Sequence, residues 1–297
     1  MKQIPLRLGS STSCLCRCVP DDFIATIHKS KVYSPEESKR LRSIAKSCGE
    51  AIGRSQIRSL ECFLTVAMLD LGLDNPMLEM FRHIGDHCEV WSVHAPFSGV
   101  DMASPDDELR KQSVQWVSEA AKIGYGLGAK VLTVHSALEV PVDITREQRV
   151  RLAADSIAKV ADVCGGLGIR VAVEILPRQC IGNKVPELMT MLELIDRPNV
   201  GACLDSNHSF PARELGDVVR TLGPLLTTLH ISDHDDVDER HWLPGKGVID
   251  WTAFIRTLRE VKYTGPFVYE VTMTDPGISE AIATLERNYH GLMEAAG

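Results

Sequence analysis

Short apolar runs alternate along the chain with longer segments in which apolar residues recur at helical spacing. Eight of the runs are apolar nearly throughout, which is typical of parallel strands that are covered on both faces. They lie at 4–9, 59–66, 89–95, 129–135, 169–175, 200–205, 225–232 and 266–271. The pattern therefore predicts eight strands with a helix after each.

The segments between these runs carry helix start and stop signals. Ser34 and Thr145 each have a Glu or Gln three residues later, which is the capping-box pattern. Asp250 is expected to cap a further helix, and Gly165–Gly166 to end one. Three more predicted starts place a capping residue directly before a proline, at Asn75, Ser104 and Asp275.

Alternating strands and helices imply a parallel sheet. Eight units fit a closed (β/α)₈ TIM barrel, which takes roughly 250 residues plus insertions. A doubly wound open sheet is the alternative. Because no linker or low-complexity tract divides the chain, we predict one domain over 1–297, with an irregular loop insertion at about 10–33.

Composition narrows the functional classes. The formal net charge is −8, which disfavours a broad basic surface for nucleic acid. No apolar run is long enough to cross a bilayer, and the N-terminal residues lack the apolar core of a secretory signal. We therefore expect a cytoplasmic protein without a membrane partner.

The nine cysteines are then expected to be reduced thiols. Cys14, Cys16 and Cys18 alternate in the irregular stretch and could hold a soft metal if that segment were extended. The spacing C-x-C-x-C lacks the usual reach of a zinc site, however. Ordinary loop thiols are the favoured interpretation.

Ligand-type residues stand at the ends of six successive predicted strands. They are His94, His135, Glu174, Asp205, His230 and Glu270, separated by 41, 39, 31, 25 and 40 residues. One barrel unit takes about thirty residues, so these residues occur once per unit at the end where barrel active sites form. Six ligand-type residues are not expected at equivalent positions by chance. The pattern therefore predicts a shared metal or catalytic site.

Two further histidines join this site by local geometry. His208 follows Asp205 by three residues at a strand-to-helix turn, and His241 lies in the long loop after the seventh strand. Carboxylates mixed with imidazoles suit Mn²⁺, Mg²⁺, Co²⁺ or Zn²⁺. The glycine-rich segment 124–128 ends a helix before a strand, the reverse of the order that a dinucleotide fingerprint needs.

The sequence at these positions resembles the xylose-isomerase-like TIM barrels. The resemblance covers about 89–271 and rests on VHAPF, LTVHS, VAVEI, LDSNH, LHISD, HWLPGKGVIDW and VYEV. That superfamily contains sugar phosphate isomerases and epimerases, inosose dehydratase and endonuclease IV. The motifs are specific for the superfamily and poor at choosing a member.

The resemblance implies site residues. Glu174, Asp205, His230 and Glu270 match the single-metal set of the ketose 3-epimerases. In those relatives the two glutamates also exchange protons with substrate, and the histidine matched by His208 contacts it. The implied activity is a metal-dependent sugar isomerase or epimerase that works through a cis-enediolate.

One departure concerns the substrate. Those epimerases often carry a basic residue soon after the histidine of the seventh strand, where this chain is acidic over 233–239. Arg240 and Lys246 could serve instead. Phe97 and Trp242 are candidate walls of the pocket, and Trp91 is assigned to either the pocket or the core.

Alternatives stay open at this point. A metal-dependent lyase is one, and a non-catalytic ligand-binding barrel is another. An enzyme like endonuclease IV, with three zinc ions, would use His94, His135, Glu174, Asp205, His208, His230, Glu239, His241 and Glu270. The acidic balance and the lack of a basic, aromatic surface favour a small carbohydrate substrate. A homo-oligomer is compatible with the sequence.

Overall fold

A computed structural model describes residues 6–16, 34–69, 76–137, 139, 142–273 and 277–297. Its eight strands form a single parallel sheet with the order β7-β6-β5-β4-β3-β2-β1-β8. The strands are β1 (Arg7–Ser11), β2 (Ser59–Phe63), β3 (Glu89–His94), β4 (Val131–Val134), β5 (Arg170–Glu174), β6 (Val200–Asp205), β7 (Leu226–His230) and β8 (Pro266–Tyr269).

The two edges of this sheet meet, so that it closes almost completely into a barrel. β1 pairs with β2 on one side and with β8 on the other. Between β7 and β8 the backbone of Ile231 donates to the carbonyl of Val268 at 2.8 Å and accepts from Glu270 N at 3.0 Å. The predicted (β/α)₈ barrel is confirmed, and the open sheet is wrong.

Helices alternate with the strands along the chain. They are α1 (Thr12–Cys16), α2 (Pro35–Gly53), α3 (Val66–Leu69), α4 (Pro76–Gly85), α5 (Asp107–Gly126), α6 (Arg146–Leu167), α7 (Val185–Ile195), α8 (Leu215–Leu222), α9 (Trp251–Glu260) and α10 (Gly277–Ala296). Within the described ranges, none of these helices has the length and apolar character that a membrane span requires.

Three of the predicted helix starts agree with the structure. Ser34 and Thr145 form capping boxes at the starts of α2 and α6, and Asp250 caps α9. The boundary at Ser104 is wrong by two residues, because the carboxylate of Asp106 caps α5 instead. The cap positions Asn75 and Asp275 lie outside the described residues.

The stop predicted at Gly165–Gly166 is also wrong. Both glycines stay within α6, and the helix ends at Gly168 with φ 71°. A helix end of this kind needs a residue in the left-handed conformation, which glycine adopts without steric cost. Which of the three nearby glycines ends the helix depends on where the next strand begins. The local residue pattern carries no information about that position.

The first strand lies later than predicted. Pairing of β1 continues to Ser11, opposite Glu61 on β2, and α1 follows directly. Residues 10–16 of the expected insertion are therefore regular structure, while 17–33, including Cys18, lie outside the described residues. Cys14 is fully buried in α1, and burial raises the pKa of its thiol to about 12, so that it stays protonated at neutral pH.

Side chains also fill the interior of the barrel at the end away from the carboxyl ends of the strands. Val131, Ala172 and Cys203 pack there against Trp91, and Trp91 Nε1 donates to Thr228 Oγ1 at 3.1 Å. The guanidinium of Arg7 lies over the Trp91 ring at 5.2 Å. Trp91 thus belongs to the core, and polar groups line the other end of the strands.

Candidate active site

The six ligand-type residues lie on one rim of the barrel. His94, Glu174, Asp205 and His230 are the last residues of their strands, and His135 and Glu270 directly follow β4 and β8. All parallel strands of a barrel end on the same face, and this face carries the active sites of such enzymes. The side chains of His94, Glu174, Asp205 and His230 are almost fully buried.

Glu174 lies at the centre of this rim, within reach of four imidazole rings. Its Oε2 is 3.2 Å from Nε2 of both His94 and His135. Its Oε1 is 3.3 Å from Nδ1 of His208 and 3.5 Å from Nδ1 of His230. Burial alone would raise the pKa of Glu174, but the histidines outweigh it and hold that pKa well below 4.5.

Five ligand-type atoms of the rim are buried without a well-formed hydrogen bond to the described residues. They are Asp205 Oδ2, Glu270 Oε2, His135 Nδ1 and both ring nitrogens of His230. Buried polar atoms of this kind normally have partners, and a divalent cation between them would supply one. Ligand atoms of Glu174 lie within 4.8 Å of those of Asp205 and of His230, and His230 is equally close to Glu270, so these overlapping groups offer carboxylates and an imidazole that fit such an ion.

The ionisation of the two other carboxylates differs. Burial raises the pKa of Asp205 to about 6. Burial also acts to raise the pKa of Glu270. His230 Nδ1, 2.9 Å from Glu270 Oε2, outweighs this effect and lowers the pKa of that glutamate to about 2. Glu270 and Glu174 are therefore ionised at neutral pH and can accept a proton.

Three histidines of the site are anchored in the same way. Nδ1 of each lies 2.8 to 3.0 Å from a backbone carbonyl oxygen. These pairs are His94 with Ala95, His208 with Ile175, and His241 with Glu270. Because a carbonyl only accepts, Nδ1 of each ring carries a proton, and Nε2 is the nitrogen that faces the site. A ring held in this way suits a metal ligand or a general base.

A second group of ligand atoms lies beside the first. Nε2 of His208 is 3.2 Å from Oε2 of Glu239, and His241 joins them, with the ligand atoms within 4.8 Å of one another. The side chain of Asn207 accepts from the backbone of Arg240 and His241 at 2.9 and 3.1 Å. This contact fixes the loop after β7 against the turn after β6.

The rest of that loop is held by one buried carboxylate. Asp233 accepts from Gly245 N at 2.8 Å and from Trp251 Nε1 at 2.9 Å. Its backbone also pairs with Trp242 in both directions. The loop therefore has a defined course before α9, which sequence patterns did not contain.

Three residues that we expected at the substrate lie elsewhere. The guanidinium of Arg240 is bonded to Asp235 at 2.7 and 2.8 Å and packs against Trp242. Trp242 and Lys246 are exposed, and none of the three lines the cavity at the strand ends. The physical reason is local, because Asp235 pairs with the charge of Arg240 on the outer side of the loop.

A cavity of about 660 Å³ opens above the rim. Its size suits a small molecule. Phe63 stacks on His94 with ring centres 4.6 Å apart, and Phe97 stacks on His135 at 4.8 Å. These four rings make one wall. His208, Glu239, His241 and Glu270 make the lining polar elsewhere.

Three residues at the site were missed by sequence reasoning. Glu61 is fully buried in β2 beside His230, Phe63 ends the same strand in the aromatic wall, and Arg178 lines the cavity in the loop after β5. Glu61 interrupts the apolar run SLECFL, and a buried carboxylate needs a partner. That interruption was the available signal. Arg178, in an exposed loop, carried none.

The sequence of this chain is similar to those of known proteins. A family model described as xylose isomerase-like TIM barrel matches residues 73–288. The chain is 25% identical to an L-ribulose 3-epimerase of Methylomonas sp. (strain DH-1), over 67% of this chain and 71% of that protein. It is 28% identical to an inosose isomerase of Bacillus subtilis (strain 168), over 46% of this chain and 53% of that protein, so the match spans about half of that relative.

A solved structure extends the similarity to nearly the whole chain. D-psicose 3-epimerase from Clostridium cellulolyticum H10, crystallised with D-tagatose, superposes with a TM-score of 0.70. The match covers 98% of this chain and 98% of that one at 18% sequence identity. At this identity the likeness concerns the fold.

Proposed function

Because this chain belongs to the xylose isomerase-like TIM barrel family, we propose that it is a divalent-metal-dependent isomerase or epimerase. Its substrate would be a sugar or sugar derivative, converted by proton transfer through a cis-enediolate. One observation carries the proposal. Glu174 and Glu270, both ionised, flank the same imidazole nitrogen of His230 beneath a cavity of about 660 Å³.

The proposed metal ligands are Glu174, Asp205, His230 and Glu270. The unpartnered atoms of the last three support this assignment. When bound there, Mn²⁺, Mg²⁺, Co²⁺ or Zn²⁺ would polarise a substrate carbonyl and acidify the neighbouring C–H group. The remaining chemistry is assigned to side chains of this chain.

The two glutamates are the proposed proton carriers. They extend from β5 and β8, with β6 and β7 between them, so their carboxylates reach the cavity from different sides. A carboxylate on one side can remove a proton from carbon, and one on the other side can return it. His208, held at Nδ1 by the carbonyl of Ile175, is proposed to form a hydrogen bond through Nε2 with a substrate hydroxyl.

The lining of the cavity supports a neutral carbohydrate. The aromatic wall formed by Phe63 and Phe97 offers an apolar surface to the C–H face of a sugar. Arg178 lies 2.6 Å from Glu239 and 3.2 Å from Asp238, so carboxylates already balance its charge. That pairing argues against a phosphorylated substrate.

Two further ligand groups favour a second candidate. His94, His135 and Glu174 converge at one place, and His208, Glu239 and His241 at another. With the proposed central ion they would form a centre of three metal ions, as in a phosphodiesterase of the endonuclease IV type. A metal-dependent lyase is compatible with the single-ion centre. Cytoplasmic location and oligomeric state stay predictions.

One experiment separates these functions. Metal-loaded protein is incubated in D₂O with a panel of ketoses and inososes, and proton NMR follows the C–H signals next to the carbonyl. We expect solvent deuterium at such a carbon, and no exchange after chelation. Exchange accompanied by loss of water from the substrate would indicate the lyase. Cleavage of abasic-site DNA, without exchange in any ketose or inosose, would contradict the proposal.

A further inference from the structure

We propose that Glu61 is a positioning residue for His230, which it holds with the proton on Nε2 and the lone pair of Nδ1 towards the metal centre. The inference rests on the metal centre of the proposed function. It concerns a carboxylate that lies in the middle of β2, away from the rim where the ligands stand.

The contacts of His230 with carboxylates are unequal. Its Nε2 is 2.8 Å from Oε1 of Glu61, while its Nδ1 is 2.9 Å from Oε2 of Glu270 and 3.5 Å from Oε1 of Glu174. The two edges of the ring thus face different groups. One edge meets the candidate metal ligands, and the other meets Glu61, whose side chain is fully buried below them.

The orientation of Glu61 is itself fixed. Ser92 Oγ donates to Glu61 Oε2 at 2.7 Å, and Thr133 Oγ1 donates to the same oxygen at 3.0 Å. These hydroxyls come from β3 and β4, so the carboxylate is held from two neighbouring strands. Oε1 is left to face His230. Glu61 therefore acts on the metal centre through the imidazole.

His230 is anchored differently from the other histidines of the site. His94, His208 and His241 are held at Nδ1 by backbone carbonyls and present Nε2. His230 presents Nδ1, so its other nitrogen needs an acceptor within the barrel. Because a carboxylate only accepts, Glu61 keeps a proton on Nε2 when a metal ion occupies Nδ1. Partners of this kind typically change metal affinity by about 10- to 100-fold.

The decisive variant is Glu61→Gln, which keeps the size of the side chain. Ser92 and Thr133 donate to Oε2 of Glu61, so a glutamine that keeps this arrangement has its amide oxygen on their side. The amide NH₂ group is then turned towards Nε2 of His230, where it donates. That contact draws the imidazole proton to Nδ1, the nitrogen that the metal would use.

Two readouts test this role without any assay of activity. Mn²⁺ and Zn²⁺ affinities are measured by competition with a chromogenic chelator, and the imidazole nitrogens of His230 are followed by ¹⁵N NMR in the Zn²⁺-loaded protein. For Glu61→Gln we expect affinity to fall about 10- to 100-fold and the N–H signal of His230 Nε2 to shift, because its carboxylate acceptor is lost. Retained circular dichroism and melting temperature would exclude a general loss of fold.

Two control variants replace other buried side chains in the barrel interior and leave Glu61 in place. Cys203→Ala removes the buried thiol that lies beside His230. Thr228→Val removes a buried hydroxyl that bonds to Trp91, on the other side of the interior. Both controls are expected to bind metal within about twofold of wild type, since the effect on His230 is assigned to the carboxylate.

The outcomes separate this inference from the function on which it rests. Wild-type protein that binds no divalent ion would overturn both. Wild type that binds, with Glu61→Gln within twofold of it and with an unchanged ¹⁵N spectrum, would overturn the role of Glu61 alone. If Glu61→Gln does not fold, the double variant Ser92→Ala/Thr133→Val replaces it. This variant removes the two hydroxyls that hold the carboxylate of Glu61 in its orientation. A loss of affinity of at least threefold then supports the role, and unchanged affinity overturns it.

Discussion

The guanidinium of Arg178 lies 2.6 Å from Oε1 of Glu239, which connects the loop after β5 to the loop after β7 above the cavity. Arg178 adopts a positive φ of 52°, a conformation that costs free energy in a residue with a side chain. Glu239 in turn contacts Nε2 of His208 at 3.2 Å. One ion pair therefore links the mouth of the cavity to a histidine of the site.

Arg178→Met tests this connection. An ion pair with exposed partners contributes about 0.2–1 kcal/mol, so we expect KM to rise by up to about fivefold while kcat changes little. Steady-state kinetics on the substrate found by deuterium exchange measures both. Arg197→Met is the control, because Arg197 forms a comparable pair with Asp162 on the outer surface. Equal effects of the two variants would contradict a role for the pair at the cavity.

Removal of the metal tests the central assignment. Reconstituted protein should contain about one divalent ion per chain, held by the four carboxylate and imidazole ligands. Chelation should abolish turnover, and restored Mn²⁺, Mg²⁺, Co²⁺ or Zn²⁺ should raise the melting temperature, since a ligand that binds only the folded state stabilises it. Elemental analysis and calorimetry measure these quantities. Activity that survives complete metal removal would contradict the assignment.

The proton carriers are tested by Glu174→Gln and Glu270→Gln. Loss of general base catalysis should lower turnover by about 100-fold or more. One of the two variants should still exchange deuterium into the substrate without completing the conversion, because the first proton transfer survives. Metal content is measured in parallel, since an amide is a poorer ligand. Near wild-type turnover in both metal-loaded variants would exclude the mechanism.

The number of metal ions separates the two candidate centres. In a sugar isomerase, replacing His94, His135 or His241 by Ala should leave one bound ion and change turnover or KM. In a three-zinc phosphodiesterase, the same changes should lower the zinc content from three. Elemental analysis of each purified variant gives the count. Wild-type protein with three tightly held zinc ions would favour the phosphodiesterase.

The outer side of the β7 loop has its own pH signature. A hydrogen bond from Arg240 lowers the pKa of Asp235 from 3.8 to about 2. A carboxylate with a lowered folded-state pKa stabilises the fold above pH 3.8 and loses that contribution as the pH falls towards 2. Carbon NMR should give a midpoint near 2, which Arg240→Ala shifts upwards. An unshifted midpoint would show that Arg240 is free for another partner.

The sequence predicted the rim because the carboxyl ends of parallel strands lie together. Residues at the ends of successive strands, about one barrel unit apart in sequence, are therefore neighbours in the structure. His94, Glu174 and His230 follow this rule directly. Glu61 did not, since it lies mid-strand and its relation to His230 depends on barrel closure. Arg240 was misplaced for a different reason. The course of its loop is set by the buried Asp233, far along the chain from Trp251, and periodicity carries no such information.

The barrel closes between β7 and β8 through the two hydrogen bonds of Ile231, with Val268 and Glu270. The residues beside this junction, His230 and Glu270, are also proposed ligands of one ion. A bound ion would therefore cross-link the two strands where their backbone pairing is shortest, and metal loading would be thermodynamically coupled to ring closure. Amide hydrogen exchange at Ile231 and Glu270 should slow on loading, more than exchange between β1 and β8, where four residue pairs already hold the edges together.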